Sequence, residues 1–257
     1  MTVSIRRQFR LDRRRTRHFL DELRATSSGF ARTVYLPKGV SSSEVESAWR
    51  DAVGPEPLPV ELTKMAAASG SGSVLFWGEP ARYLIVPPFP LPGKDVQSGY
   101  AVDTLVGLLE QDFTVALILV RLGAYAIALC RDEAAIKSKV GTGLVHGRHR
   151  KGGSSQQRFQ RHREKQTEQF LIRVCHHVSE LLEPDTGVPD YLVYGGAWTT
   201  LLSLQKRCAF LEKFSSQTLP PLLDIPKPDR EVLDAAARRV WASSVIELKE
   251  PACDADN

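Results

Sequence analysis

No apolar run in this sequence reaches the ~18 residues that a membrane-spanning helix requires. The longest candidate, Phe113–Leu122, is ten residues long and is interrupted by Arg121. No membrane association is expected. The basic N-terminus lacks the apolar stretch of a secretory signal, and Asp12, Asp21 and Glu22 speak against a mitochondrial presequence. A cytoplasmic protein is expected. Cysteine is scarce: Cys130, Cys175, Cys208 and Cys253 are widely spaced and form no CxxC pair. That excludes a zinc knuckle and a dithiol redox motif. Reduced, buried thiols are expected for the first three, and an exposed one for Cys253. The stretch Phe113–Cys130 contains no carboxylate, which weighs against a metal-dependent nuclease. No metal and no cofactor are expected.

Acids are also scarce in two segments, and there the bases concentrate. Arg6–Arg17 holds seven arginines and one acid, Asp12; His146–Lys165 holds seven Arg or Lys and one acid, Glu164. The net charge is +4, from 34 bases and 30 acids. Without the two segments, 20 bases face 28 acids, a balance of −8. Positive charge gathered on an acidic body points to a polyanionic partner.

Hydrophobic periodicity predicts the elements. Phe9, Leu11, Phe19, Leu20 and Leu23 suggest one basic helix over Arg6–Arg24. A strand over Ala31–Leu36, a Ser-capped helix over Ser41–Ala52 and a hairpin from Val74–Trp77 and Arg82–Val86 follow. Ala66–Ser73 reads as a small-residue break, and Pro87–Gly99 as a linker. Residues 1–99 are therefore expected to form a small α/β unit ending in a Pro-rich linker, and 100–250 a second domain. Residues 251–257 are read as a disordered tail. In the second domain, Leu105–Leu109 is a lead-in. Strands are expected at Phe113–Val120, Ala124–Cys130 and Ala135–Val140. The loop His146–Ser155 precedes one long helix to Leu182, with Phe170, Val174, Val178 and Leu181 as its apolar stripe. Its first half is nearly devoid of apolar residues. A strand at Tyr191–Tyr194 ending in Gly195-Gly196, a helix over Trp198–Phe214, a Pro-rich connection over Leu219–Pro228 and a helix capped by Asp229 complete a mixed-sheet α/β pattern.

The chemistry concentrates in His146-Gly147-Arg148-His149-Arg150-Lys151-Gly152-Gly153-Ser154-Ser155-Gln156-Gln157-Arg158-Phe159-Gln160-Arg161-His162-Arg163. Two glycines allow close backbone approach to a ligand. Ser and Gln supply uncharged donors and acceptors. Flanking Arg and Lys suit phosphates. This stretch resembles the catalytic loop of the eukaryotic and archaeal peptide-chain release factors, which carry Gly-Gly-Gln, a serine and an Arg-Phe-x-Arg-x-Arg helix start. Gly152, Gly153, Ser155, Arg158, Phe159, Arg161 and Arg163 match in register. Ser154 stands where those factors have glutamine. The shifted Gly-Ser-Ser-Gln form is similar to the VLRF (Vms-like release factor) family, in its actinobacterial branch. The likeness runs over roughly residues 101–250 and includes Asp190–Gly196.

The resemblance implies a ribonuclease-H-like release-factor middle domain with a protruding Gly-rich loop and long helix. It also implies a ribosome-dependent peptidyl-tRNA hydrolase that frees nascent chains from stalled ribosomes. Gln156 would position the attacking water, with Gln157 the second choice. Gly152 and Gly153 would shape the loop, Ser154 and Ser155 assist. Arg148, Arg150, Lys151, Arg158, Arg161 and Arg163 would contact RNA. The implied partners are the large ribosomal subunit and peptidyl-tRNA, with a monomer off the ribosome. The displaced glutamine leaves a second reading open, a non-catalytic ribosome- or RNA-binding quality-control factor.

Overall fold

The computed structural model describes residues 3–26, 30–55, 58–80, 82–145, 155–182 and 188–249, the side chains of Ser155 and Gln156 excepted. It is a mixed α/β structure with two sheets. Its first departure from expectation lies at Asp12. The Asp12 side chain accepts from the Arg15 N–H at 2.8 Å and caps helix α1 (Arg13–Ala25). The residues before it form strand β1 (Ser4–Leu11), so the single helix expected over Arg6–Arg24 is corrected to a strand and a helix. Phe9 and Leu11 are two apart, a strand spacing, whereas Thr16, Leu20 and Leu23 are spaced for the buried face of a helix.

Strand β2 (Ala31–Leu36) and helix α2 (Ser42–Val53) follow as read, with Ser41 and Glu44 closing a capping box. Helix α3 (Val60–Ala67) takes in the first two residues of the small-residue stretch Ala66–Ser73, and the sequence reading contains no helix there. Strands β3 (Ser73–Gly78) and β4 (Arg82–Val86) make the expected antiparallel hairpin. The stretch read as a linker contains β5 (Asp95–Ser98), which pairs with β2. The lead-in is helix α4 (Asp103–Glu110).

Next comes an antiparallel meander of β6 (Thr114–Arg121), β7 (Ala124–Arg131) and β8 (Ala134–Thr142). Helix α5 (Ser155–Leu181) then carries the chain back to β9 (Tyr191–Gly196), which lies parallel to β6. The helix expected over Trp198–Phe214 is broken. It consists of α6 (Trp198–Gln205) and a 3-10 stretch, Ala209–Gln217. The Pro-rich connection is corrected to strand β10 (Thr218–Leu223), parallel to β9 at the sheet edge. Pro220 and Pro221 cannot donate to a ladder, and an edge position tolerates that. Helix α7 (Arg230–Val240) is capped by Asp229, which accepts from the Val232 N–H at 2.8 Å. Strand β11 (Ser243–Lys249) ends the described chain.

Two compact units result: Met1–Gln111 with Trp241–Asn257, and Asp112–Val240. The expected boundaries of 99/100 and 250/251 are corrected accordingly, because β11 inserts between β1 and β4 in the first unit's sheet. That pairing joins chain segments more than 150 residues apart, and no local pattern announces it. Residues 251–257, read as a tail, lie outside the described residues.

The first unit's sheet runs β1-β11-β4-β3-β2-β5, antiparallel throughout. Leu75 and Trp77 pack with α2 and α3 residues on one face; Val74 and Phe76 pack with α1 and α4 residues on the other. Burial on both faces explains the unbroken apolar run of β3.

The second unit's sheet runs β10-β9-β6-β7-β8. Ala116, Ile118 and Val120 of β6 join Phe170, Val174 and Val178 of α5 and Leu201 and Leu204 of α6 in one core. Helix α7 covers the opposite face, burying Leu233, Ala236, Ala237 and Val240 against β6, β7 and β8. Central β6 is therefore apolar on both sides. Edge strand β8 instead exposes Lys137 and Lys139, a usual protection against edge pairing.

Candidate functional site

The loop of interest leaves the sheet at the end of β8 through two glycines held by steric necessity. A Cβ on Gly141 would come within 2.4 Å of the Tyr125 hydroxyl, and one on Gly143 within 2.5 Å of the Phe170 ring. Any side chain here would push β8 off the aromatic rings of Tyr125 and Phe170, whose centroids are 6.1 Å apart. The Gly143 N–H also donates to the Gly123 carbonyl at 3.0 Å, and Val145 packs against the core. The departure point is therefore fixed.

Arg148, Arg150, Lys151, Gly152, Gly153 and Ser154 lie outside the described residues, as do the side chains of Ser155 and Gln156. The backbone of Ser155 and Gln156 opens α5, so both stand in its first turn. Gln157, Arg158, Phe159, Gln160, Arg161 and His162 are exposed; Arg163 is half-buried. The first residue of α5 fully held by the core is Phe170, 1% exposed. Fifteen residues separate it from Ser155, about 22 Å of helix. This matches the polar first half expected from sequence. The glutamines and Arg158, Arg161 and Arg163 thus share the opening turns of one helix. Glu164, the first acid, accepts a hydrogen bond from Gln160 Nε2 at 3.0 Å.

The other end of α5 is anchored more firmly than the sequence suggested. Cys175 and Cys208 form a disulfide with a Cα–Cα distance of 5.5 Å, linking α5 to the start of the 3-10 stretch. The expectation of reduced thiols is corrected for this pair. The two are 33 residues apart in sequence, and their proximity arises only once α5 and α6 pack. Cys130 is free and buried as expected, and burial pushes its thiol up to about 12. Cys253 lies outside the described residues.

The N-terminal basic run is largely spent within its own unit. Arg6 and Arg7 both bond Glu247 of β11, Arg6 at 2.8 Å. Arg13 stacks over Trp241 at 3.9 Å, and Arg17 pairs with Glu110 at 2.6 Å; beyond the run, Arg24 pairs with Asp103.

Residues 113–246 match the model of a family described as the Actinobacteria/chloroflexi VLRF1 release factor. The chain belongs to this family. The matched span covers the whole second unit's sheet and reaches into β11. Among curated proteins, the peptide chain release factor subunit 1 of Aeropyrum pernix is 26% identical over 145 residues, covering 52% of this chain and 39% of that protein. The chain thus matches well under half of that relative's length. Among solved structures, the archaeal translation termination factor aRF1 has 18% identity and a TM-score of 0.38, covering 89% of this chain and 73% of that one. Archaeoglobus fulgidus Pelota has 11% identity and a TM-score of 0.30, covering 91% and 62%. In this VLRF1 chain no helix among the described residues is long and apolar enough to cross a membrane.

Proposed function

We propose that this chain acts in the cytoplasm, on the large ribosomal subunit, as a release-factor-like peptidyl-tRNA hydrolase that frees nascent chains from stalled ribosomes. The observation that carries the reading is the exposed basic start of α5, next in sequence to Gly152–Ser154 and continuous with a second half that packs on the sheet. The strand order of the second unit, an antiparallel trio followed by two parallel strands, suits a ribonuclease-H-like middle domain.

In this mechanism Arg148, Arg150, Lys151, Arg158, Arg161 and Arg163 neutralise RNA phosphates and place the tip beside the ester. The positive end of the α5 dipole favours the same anionic surroundings. The carboxamide of Gln156, or of Gln157 one residue later, holds a water against the ester carbonyl. Gly152 and Gly153 let the backbone come close, and Ser154 and Ser155 add hydrogen bonds. Water attacks the carbonyl carbon, the ester C–O bond breaks, and the terminal ribose of the transfer RNA leaves with the proton. Positioning and preorganised hydrogen bonds need no strong protein base. The protein is monomeric off the ribosome.

Ser154 occupies the position of the release-factor glutamine, and this one substitution favours a second reading, a factor that binds the ribosome without cleaving. Peptide release from stalled large-subunit–peptidyl-tRNA complexes, without puromycin, separates the two. Hydrolysis by the wild type and its loss in Gln156→Ala or Gln157→Ala supports the enzyme. Salt-sensitive binding with no release by any of the three supports the binding factor.

A further inference from the structure

The last turns of α5 carry a second cluster of chemistry-bearing side chains, 21 residues beyond Ser155 and about 30 Å along the helix. His176 and His177 are consecutive, and Glu180 follows four and three residues later. Oε2 of Glu180 lies 3.2 Å from Nδ1 of His176 and 2.8 Å from Nδ1 of His177. The three donor groups bring one ligand atom each within 4.8 Å of one another. An isolated His–Glu pair one turn apart is common on helices, and His18 with Glu22 at 3.4 Å is such a pair here. The α5 cluster differs in three ways. One carboxylate engages two imidazoles. The His177 ring is stacked on Tyr125, with centroids 5.6 Å apart and planes at 26°, so its orientation is set by β7. The cluster also borders an open hollow of about 400 Å3, lined in addition by Lys137, Ser138, Lys139 and Leu181.

We infer that His176, His177 and Glu180 bind one divalent transition-metal ion of the zinc class, with water from the hollow completing its coordination. Two imidazole nitrogens and one carboxylate suit zinc, nickel or cobalt rather than magnesium or calcium, which take oxygen ligands. Ligand atoms around a tetrahedral zinc are about 3.3 Å apart, given bonds of about 2.0–2.1 Å. The Glu180 spacings of 3.2 and 2.8 Å lie within about 0.5 Å of this, and the set as a whole, within 4.8 Å, closes on an ion by rotation of the exposed His176 ring. On binding, each imidazole carries its single N–H on Nε2 and presents the Nδ1 lone pair to the metal; a proton held on Nδ1 beforehand leaves to solvent. Lys137 and Lys139 line the same hollow and repel the cation, which makes the site weaker than a closed structural zinc site. The site does not depend on the release activity, since it uses no residue of the loop or of the first turns of α5.

The test is calorimetric titration of zinc chloride into the full chain after chelator treatment, with magnesium chloride as the comparison. The expected result is one zinc per chain and no magnesium binding. His177→Ala and Glu180→Gln should each weaken zinc binding at least ten-fold, while His18→Ala leaves it unchanged. Should either α5 variant fail to fold, imidazole nitrogen NMR of the wild type gives the answer, because zinc then shifts the Nδ1 resonances of two histidines only. Equal zinc binding by wild type, His177→Ala and Glu180→Gln would overturn the assignment. So would absence of stoichiometric binding, or NMR shifts spread over all six histidines.

Discussion

Gly196 shows how far single residues constrain this fold. Its φ is +117°, and a Cβ there would lie 2.1 Å from the Val120 carbonyl oxygen of β6. Both the backbone conformation and the close strand approach require glycine. Gly196→Ala should destabilise the protein by about 3 kcal/mol, as strain and a backbone clash combine. Urea unfolding of wild type and variant measures this. Cys130 gives a residue-scale prediction of the opposite kind. Its thiol is buried and held at a pKa of about 12, so almost no thiolate exists at pH 7. In a Cys253→Ser background kept oxidised, iodoacetamide should leave the native chain unmodified and add one label after unfolding. The glycine pair closing β9 was legible in sequence, because Gly-Gly after a short apolar run marks a strand end. The Cys175–Cys208 link was not, because cysteine spacing carries no connectivity.

At the scale of elements, α5 decides the site. Its exposed first half runs on into a second half where Phe170, Leu171, Val174 and Val178 are at most 1% exposed. Phe170→Ala should cost about 3–5 kcal/mol in stability. Arg161→Gln, on the exposed half, should change stability by no more than about 0.5 kcal/mol and act on ribosome binding instead. Comparing melting temperatures with binding for the two variants checks this division. The disulfide adds a redox-dependent increment. Opening the loop closed by Cys175 and Cys208, 33 residues apart, should lower stability by about 3–4 kcal/mol on the chain-entropy model. Melting the wild type with and without reductant, beside a Cys175→Ser, Cys208→Ser double variant, measures it. Long periodic helices such as α5 were legible from sequence, as were strands buried on both faces such as β6. Elements whose identity rests on distant partners were not. β1 carries arginines that look helical, β5 and β10 contain or follow prolines, and all three exist because an edge of a sheet accepts them.

For the molecule as a whole, the two basic segments are expected to differ in role. Arg6, Arg7, Arg13 and Arg17 are engaged within their own unit, and on the proposed function the polyanion contact is expected mainly at residues 146–165. Replacing Arg158, Arg161 and Arg163 by Gln should lower the slope of log affinity against log salt for ribosomes by about two to three. The same change at Arg6, Arg7 and Arg17 should act mainly on stability. Of the site itself, the sequence made legible the residue types and the helix that carries them. The anchoring of both ends did not show, because it rests on Gly141 and Gly143 meeting rings from β7 and α5, and on a cross-link formed by packing. The central claim is that an uncharged amide at the start of α5 orients water on a ribosome-bound ester. The most direct measurement is the single-turnover rate of peptide release from large-subunit–peptidyl-tRNA complexes at saturating protein. The wild type should release peptide, and the Gln156→Ala, Gln157→Ala double variant should bind equally but release about 10²–10³-fold more slowly. Equal release rates for the two proteins at equal occupancy would contradict the account.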